Sequence, residues 1–113
     1  MKYVLSFRVR RVYFDDILIG KKKDEIRKRS PFWNKRVEFV ANLIDMPYPS
    51  GICFPPKKVL GVFLCGKDVS RFWLRGVELH PNAESALHRE PSEQGKKDLG
   101  SGEVWRFLIG ERY

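Results

Sequence analysis

The chain is patterned in short runs of strand type joined by turns and short helical stretches. Residues 3–10 set Tyr3, Leu5, Phe7 and Val9 against Val4, Ser6, Arg8 and Arg10, the period-two alternation of a strand with one face inward. Residues 59–65 are an apolar run with β-branched and aromatic members, which reads as a buried strand. Gly66-Lys67-Asp68 is a turn, and residues 69–79 read as the hairpin partner. Residues 23–29 and 103–111 supply two more strands, the last through Val104, Trp105, Phe107, Leu108 and Ile109. At 113 residues this is a single domain over 1–113.

Three segments break the strand pattern. In residues 11–19 the period changes, and Val12, Tyr13, Asp16, Ile17 and Ile19 suit a short helix that Gly20 can close in the left-handed conformation. Ser30-Pro31 is a helix start: the hydroxyl can accept from an unpaired amide, and proline fits the first turn. Phe32, Val37, Val40 and Leu43 carry that helix to about residue 43. Residues 81–89 are a further short helical candidate. The prolines in 45–58 predict a long, stiff, irregular loop, and the polar, glycine-containing stretch 90–102 predicts a surface loop. The expected fold is a small mixed barrel or sheet with two or three short helices.

Charge narrows the function. The formal net charge is +8, and residues 1–40 hold 12 Lys/Arg against 5 Asp/Glu, whereas residues 81–113 hold 5 against 6. So uneven a field suits a polyanion, bound by counterion release without sequence reading. A small or protein anion, or a basic surface without an anionic partner, are the alternatives. No apolar run is long enough to cross a bilayer and no signal-peptide pattern is present, so the expectation is a cytoplasmic protein without a membrane partner. Cys53 and Cys65 stand 12 positions apart in no CxxC pair, and His80 and His88 form no ligand spacing with them, so two partly buried thiols, no metal and no cofactor are expected.

The informative segment is Gly20-Lys21-Lys22-Lys23-Asp24-Glu25-Ile26-Arg27. Alternation puts Lys23, Glu25, Arg27 and Arg29 on one strand face and Lys22, Asp24, Ile26 and Lys28 on the other. Glu25 thus lies between two cations of its own face and can order them. Arg27 offers a planar fork suited to phosphate or a base edge. Lys21, Lys22 and Lys23 crowd the turn after Gly20, where a phosphate would relieve their repulsion. The plainer alternative is a solvated basic turn with an internal Glu–Arg pair.

Gly20-x-Lys22-x-x-Glu25-x-Arg27, preceded by a strand and a short helix and running into a second strand, resembles the ASCH signature G-x-K-x-x-E-x-R. The later hairpin, short helix and closing strand are similar to the layout of that family. The resemblance implies an α+β fold, a PUA-like β-barrel of about five to six strands. It also implies a cleft between barrel and helices that takes RNA, with single-stranded DNA as the other possible ligand. Lys22, Glu25 and Arg27 would line the cleft floor, and Gly20 would permit the tight approach to the second strand. Because alternation separates Lys22 from Glu25, a shared site requires a distortion near Gly20.

Some ASCH-like proteins are hydrolases, nucleases and an amidohydrolase of a modified cytidine among them. The amidohydrolase branch carries a hydroxyl residue where Glu25 stands here, so that activity does not transfer directly. Lys22, crowded by cations, is nevertheless a candidate base or oxyanion stabiliser, with Glu25 and Tyr13 as its catalytic companions. Ser101, Glu103 and Glu78 are further candidates by layout. Aromatic rings interleaved with cations suggest stacking platforms for single-stranded nucleic acid: Trp33 with Lys35 and Arg36 first, Trp73 second, and Trp105 as core. Phe7, Phe39, Phe63, Phe72 and Phe107 are expected mostly in the core. Two rivals to RNA binding remain at this point. One is a hydrolase of the same fold, a ribonuclease or an amidohydrolase-like enzyme. The other is a protein-interaction module with an exposed apolar patch near Ile52-Cys53-Phe54.

Overall fold

The structure, a computed structural model, describes residues 3–44, 51–87 and 90–113. Strand β1 (Tyr3–Arg8) leads into helix α1 (Arg11–Leu18), then β2 (Asp24–Lys28) and α2 (Pro31–Leu43). Three strands follow, β3 (Gly51–Cys53), β4 (Val59–Cys65) and β5 (Asp68–His80), then helices α3 (Ala83–Leu87) and α4 (Glu93–Leu99), and finally β6 (Val104–Arg112). The fold is α+β. Its six strands form one sheet in the order β1-β4-β5-β6-β2, with β3 attached to β5. The β1–β4 pair is parallel and the others are antiparallel.

The sheet curls into a half-barrel, and its bend has a local origin. The β5–β6 register shifts between Phe72 and Leu74 and again between Leu74 and Gly76. Such irregularities bend a strand and raise its twist. Curling brings the two edge strands, β1 and β2, toward each other without a ladder between them. A side chain bridges that seam: Arg27 Nη2 of β2 donates to the Arg8 carbonyl of β1 at 2.6 Å.

The core fills the concave side. Phe7 is fully buried, with Trp33 stacked on it at 5.1 Å between centroids, Phe63 at 5.2 Å and Phe107 edge-on at 5.0 Å. Helix α2 supplies Trp33, Val37, Val40 and Ala41, one helical stripe, and starts as its sequence predicts, with Ser30 Oγ accepting from the Trp33 amide and proline in the first turn. Helix α1 adds Phe14 and Ile17. A smaller cluster, Ile26, Ala83, Ala86 and Val104, packs α3 against the other sheet face.

Several expectations are corrected. There are four helices among the described residues, because residues 93–99 form α4 where a loop was expected; Ser92 Oγ caps it by accepting from the Gly95 amide. The proline-rich stretch contains β3, and residues 45–50 of it lie outside the described residues, as does His88. Ile52 and Phe54 are buried by that strand, so the apolar patch expected there does not exist. Phe39 is not core: it is 62% exposed on the flank of α2. Cys53 is exposed rather than partly buried, and both cysteines are free. No helix among the described residues is long and apolar enough to cross a membrane.

Candidate functional site: a cleft at the barrel seam

Gly20 adopts φ +78, a backbone conformation open mainly to glycine, directly after α1. The chain folds back there, and the amides of Lys21 and Lys22 both donate to the Asp16 carbonyl, at 2.9 and 3.0 Å. Lys22 therefore precedes β2 and is not bound by its alternation. Its Nζ reaches 3.5 Å from Glu25 Oε1 and 3.9 Å from Asp24 Oδ1. This is the distortion that a shared site required.

Glu25 and Arg27 project from the same face of β2, opposite Phe107 and Trp105 in the register. Arg27 Nε donates to Glu25 Oε2 at 3.0 Å. The Arg27 guanidinium carbon stands 5.6 Å from the Phe7 ring centre and 5.5 Å from that of Trp33. Carboxylate, carbonyl and two rings thus hold Arg27 in one orientation. Glu25 is only 6% exposed, and its Oε1 accepts no hydrogen bond from the described residues. Its nearest partner among them is the Lys22 ammonium at 3.5 Å, a long contact that leaves room for a further donor to a buried carboxylate oxygen.

These groups open into a cavity of about 630 Å³ between β2, α1 and α4. That volume is within the roughly 300–1,000 Å³ common for ligand pockets. Tyr13, Lys22, Glu25 and Arg27 line it together with Arg8, Arg10, Lys28, Ser92 and Asp98. Lys22 Nζ sits 5.4 Å from the Tyr13 ring centre. Helix α4 forms the far wall and is tied across by Arg10 Nη2 donating to Asp98 Oδ1 at 3.2 Å. That guanidinium, with Gln94 as a second donor, holds the Asp98 carboxyl below the usual aspartate range.

The remaining candidates distribute as follows. Lys21 and Lys23 are exposed and do not line the cleft. Trp33 is 8% exposed, a core ring whose edge reaches the cleft rather than the open platform that its polar neighbours suggested. Lys35 and Arg36 lie across the seam, on a second cavity. Trp73 is half-buried against Tyr113 at 5.3 Å. Trp105 is core, 1% exposed. Glu103 is exposed and paired with Arg29 at 2.7 Å, and neither it nor Ser101 lines the cleft. Glu78 joins a polar string on the opposite sheet face: Arg106 donates to both Asp24 and Glu78 at 2.9 Å, and His80 Nε2 lies 3.0 Å from Glu78 Oε1. His80 and then Arg106 hold the Glu78 carboxyl below its ordinary range.

Arg8, Arg10 and the α4 residues are cleft members that sequence reasoning missed. For Arg8 and Arg10 the signal was present, since both fall on the outward positions of the first strand. For α4 it was the Ser92 cap ahead of Glu93-Gln94. Comparisons with family models, with curated proteins and with solved structures find no match to this chain.

Proposed function

We propose that the protein binds RNA, as its resemblance to ASCH domains implies, by holding one nucleotide of a single strand in the cleft at the barrel seam. The observation that carries this reading is the buried Glu25 Oε1, which faces a cavity rich in cations with only the long Lys22 contact of 3.5 Å and no hydrogen bond from the described residues. A base amino group is the donor that fits: carboxylates accept from the cytosine amino group, and the adenine amino group presents the same chemistry. Lys22, Arg8 and Lys28 then meet the phosphate, and Arg27 stays fixed as a flat cation beside the base. The basic first third of the chain supports the same assignment.

The test is binding of single-stranded RNA and the matching DNA over a salt series, comparing wild type with Lys22→Ala and Glu25→Gln. RNA-favoured binding that weakens with salt and drops in both variants supports the reading. Binding that is equally weak in all three proteins overturns it, and the +8 charge is then a solvated surface. Hydrolysis of RNA or of a modified nucleoside in the same cleft is a second reading, favoured by the convergence of Tyr13, Lys22 and Glu25. It requires product formation that Lys22→Ala abolishes while the fold is retained.

A further inference from the structure

The seam has two sides. Across Arg27 from the cleft lies a second cavity of about 630 Å³, between β1 and the flank of α2. Arg8, Arg27 and Trp33 line both spaces and form the wall between them.

The flank of α2 that faces this cavity is a continuous stripe. Phe32, Lys35, Arg36 and Phe39 fall at i, i+3, i+4 and i+7, neighbouring positions on one helix face. The stripe is beside the core stripe and is not used by the core. Phe32 is 53% exposed and Phe39 62%, and both line the cavity. Two large rings left in water on one face of so small a domain call for an occupant. The Arg36 guanidinium carbon lies 3.4 Å from the Phe32 ring centre, and Nη1 donates to the Phe32 carbonyl at 2.9 Å. Ring and guanidinium form a preassembled stacking surface.

Charge identifies the occupant. Arg8, Arg27, Lys35 and Arg36 line the cavity, and among the described residues no carboxylate does. Arg27 already has Glu25 as its partner, but an apolar peptide would bring no anion to Arg8, Lys35 and Arg36. Stacking rings alternating with cations along a groove are what single-stranded nucleic acids use, base on ring and phosphate on cation. We propose that this cavity seats the nucleotide adjacent to the one held in the cleft. The strand then crosses the seam over Arg27, with its intervening phosphate near Arg8 and its second base on Phe32 and Phe39. This inference rests on the proposed RNA-binding function and adds a second subsite and a binding register.

The experiment follows affinity against length by chemical-shift titration. The probes are 5′-CMP and 5′-AMP, then oligocytidylate and oligoadenylate of two, four and eight nucleotides. The proteins are wild type, Phe32→Ala/Phe39→Ala, and Lys35→Glu/Arg36→Glu. All four changes are on the helix surface, and thermal melting verifies the fold. Wild type is expected to gain affinity on going from one nucleotide to two. The aromatic variant is expected to lose that gain, a drop of about five- to 150-fold for the dinucleotide, the range for one lost base stack. The charge-reversed variant loses it as well. If the gain is absent, or survives in the aromatic variant, the second subsite is wrong while the cleft reading stands. If no probe binds wild type at low salt, both fail, and self-association that the aromatic variant abolishes would assign the stripe to a second copy of the chain.

Discussion

Glu25 is the residue on which the site turns. It stands between Lys22 and Arg27 with almost no exposure, while the two cations keep about a fifth of theirs. Removing the carboxylate leaves two positive charges facing each other, Arg27 beside Phe7 and Trp33 and Lys22 beside Tyr13. Breaking a buried pair by deleting one member costs about 3–5 kcal/mol, and Glu25→Ala should fall near the lower figure in urea denaturation, since the cations can recruit water. Glu25→Gln keeps the shape and a hydrogen-bond acceptor for Arg27, and should lose clearly less. A loss equal to that of alanine would mean that net charge, not bonding, holds Arg27. Trp33 poses a different residue-scale question. Its polar successors Asn34, Lys35 and Arg36 point to an exposed ring, yet the helical period 33, 37, 40, 41 points inward, and the period wins because that stripe is the one packed on the core. Truncating a buried aromatic costs about 3–5 kcal/mol. Trp33→Ala should therefore destabilise the fold on that scale in denaturant titration, and a loss under 1 kcal/mol would contradict the packing described.

At the scale of elements, strong periodicity was legible and weak periodicity was not. The alternation of residues 3–10 and the apolar run 59–65 each had one physical solution, and α2 carried both its cap and its stripe. The turn at Lys22 was not readable from alternation, because it depends on two amides sharing the Asp16 carbonyl. Strand β3 escaped notice because three residues carry no period. It exists because Gly76 permits close approach: a Cβ there would stand 2.5 Å from the Ile52 carbonyl oxygen, a backbone atom that cannot swing aside. Gly76→Ala should thus detach β3 and cost about 1–3 kcal/mol, the usual cost of overpacking, with amide exchange rising at Ile52 and Phe54. Helix α4 was hidden for the opposite reason: none of its residues is buried, so it has no apolar period to read. It is tied down by the Arg10–Asp98 pair and by Leu99 packed against the Ile26–Val104 cluster, and Asp98 has a depressed pKa because of Arg10. A depressed carboxylate contributes fully above its unfolded pKa, about 3.9 for aspartate, and loses that contribution as the pH falls through the lower folded value. Amide exchange in residues 93–99, corrected for its intrinsic pH dependence, should therefore accelerate below about pH 4 before the sheet opens. Asp98→Asn should show the faster exchange already at neutral pH. Simultaneous opening of α4 and β6 would show that the helix is anchored elsewhere.

The whole molecule is a half-barrel whose seam is closed by an arginine rather than by a ladder, with basic space on either side of it. This geometry separates a built binding groove from a merely basic exterior. A diffuse +8 field would attract more phosphates as the strand lengthens, so its salt dependence would steepen with length. A groove of two subsites engages a fixed number. For single strands the slope of log K against log salt is about −0.7 per neutralised phosphate. Two nucleotides placed across Arg27 therefore predict a slope near −1.4 that levels off by four nucleotides. Lys22→Ala should reduce its magnitude by about 0.7. Lys67→Ala removes the same formal charge from a turn that lines neither cavity, and should leave the slope as it is. Isothermal titration over four salt concentrations measures all three. Equal effects of the two lysines would reduce the cleft to general electrostatics. Unequal effects with a levelled slope would locate binding at the seam, because only a fixed set of cations counts the same phosphates on a short strand and a long one.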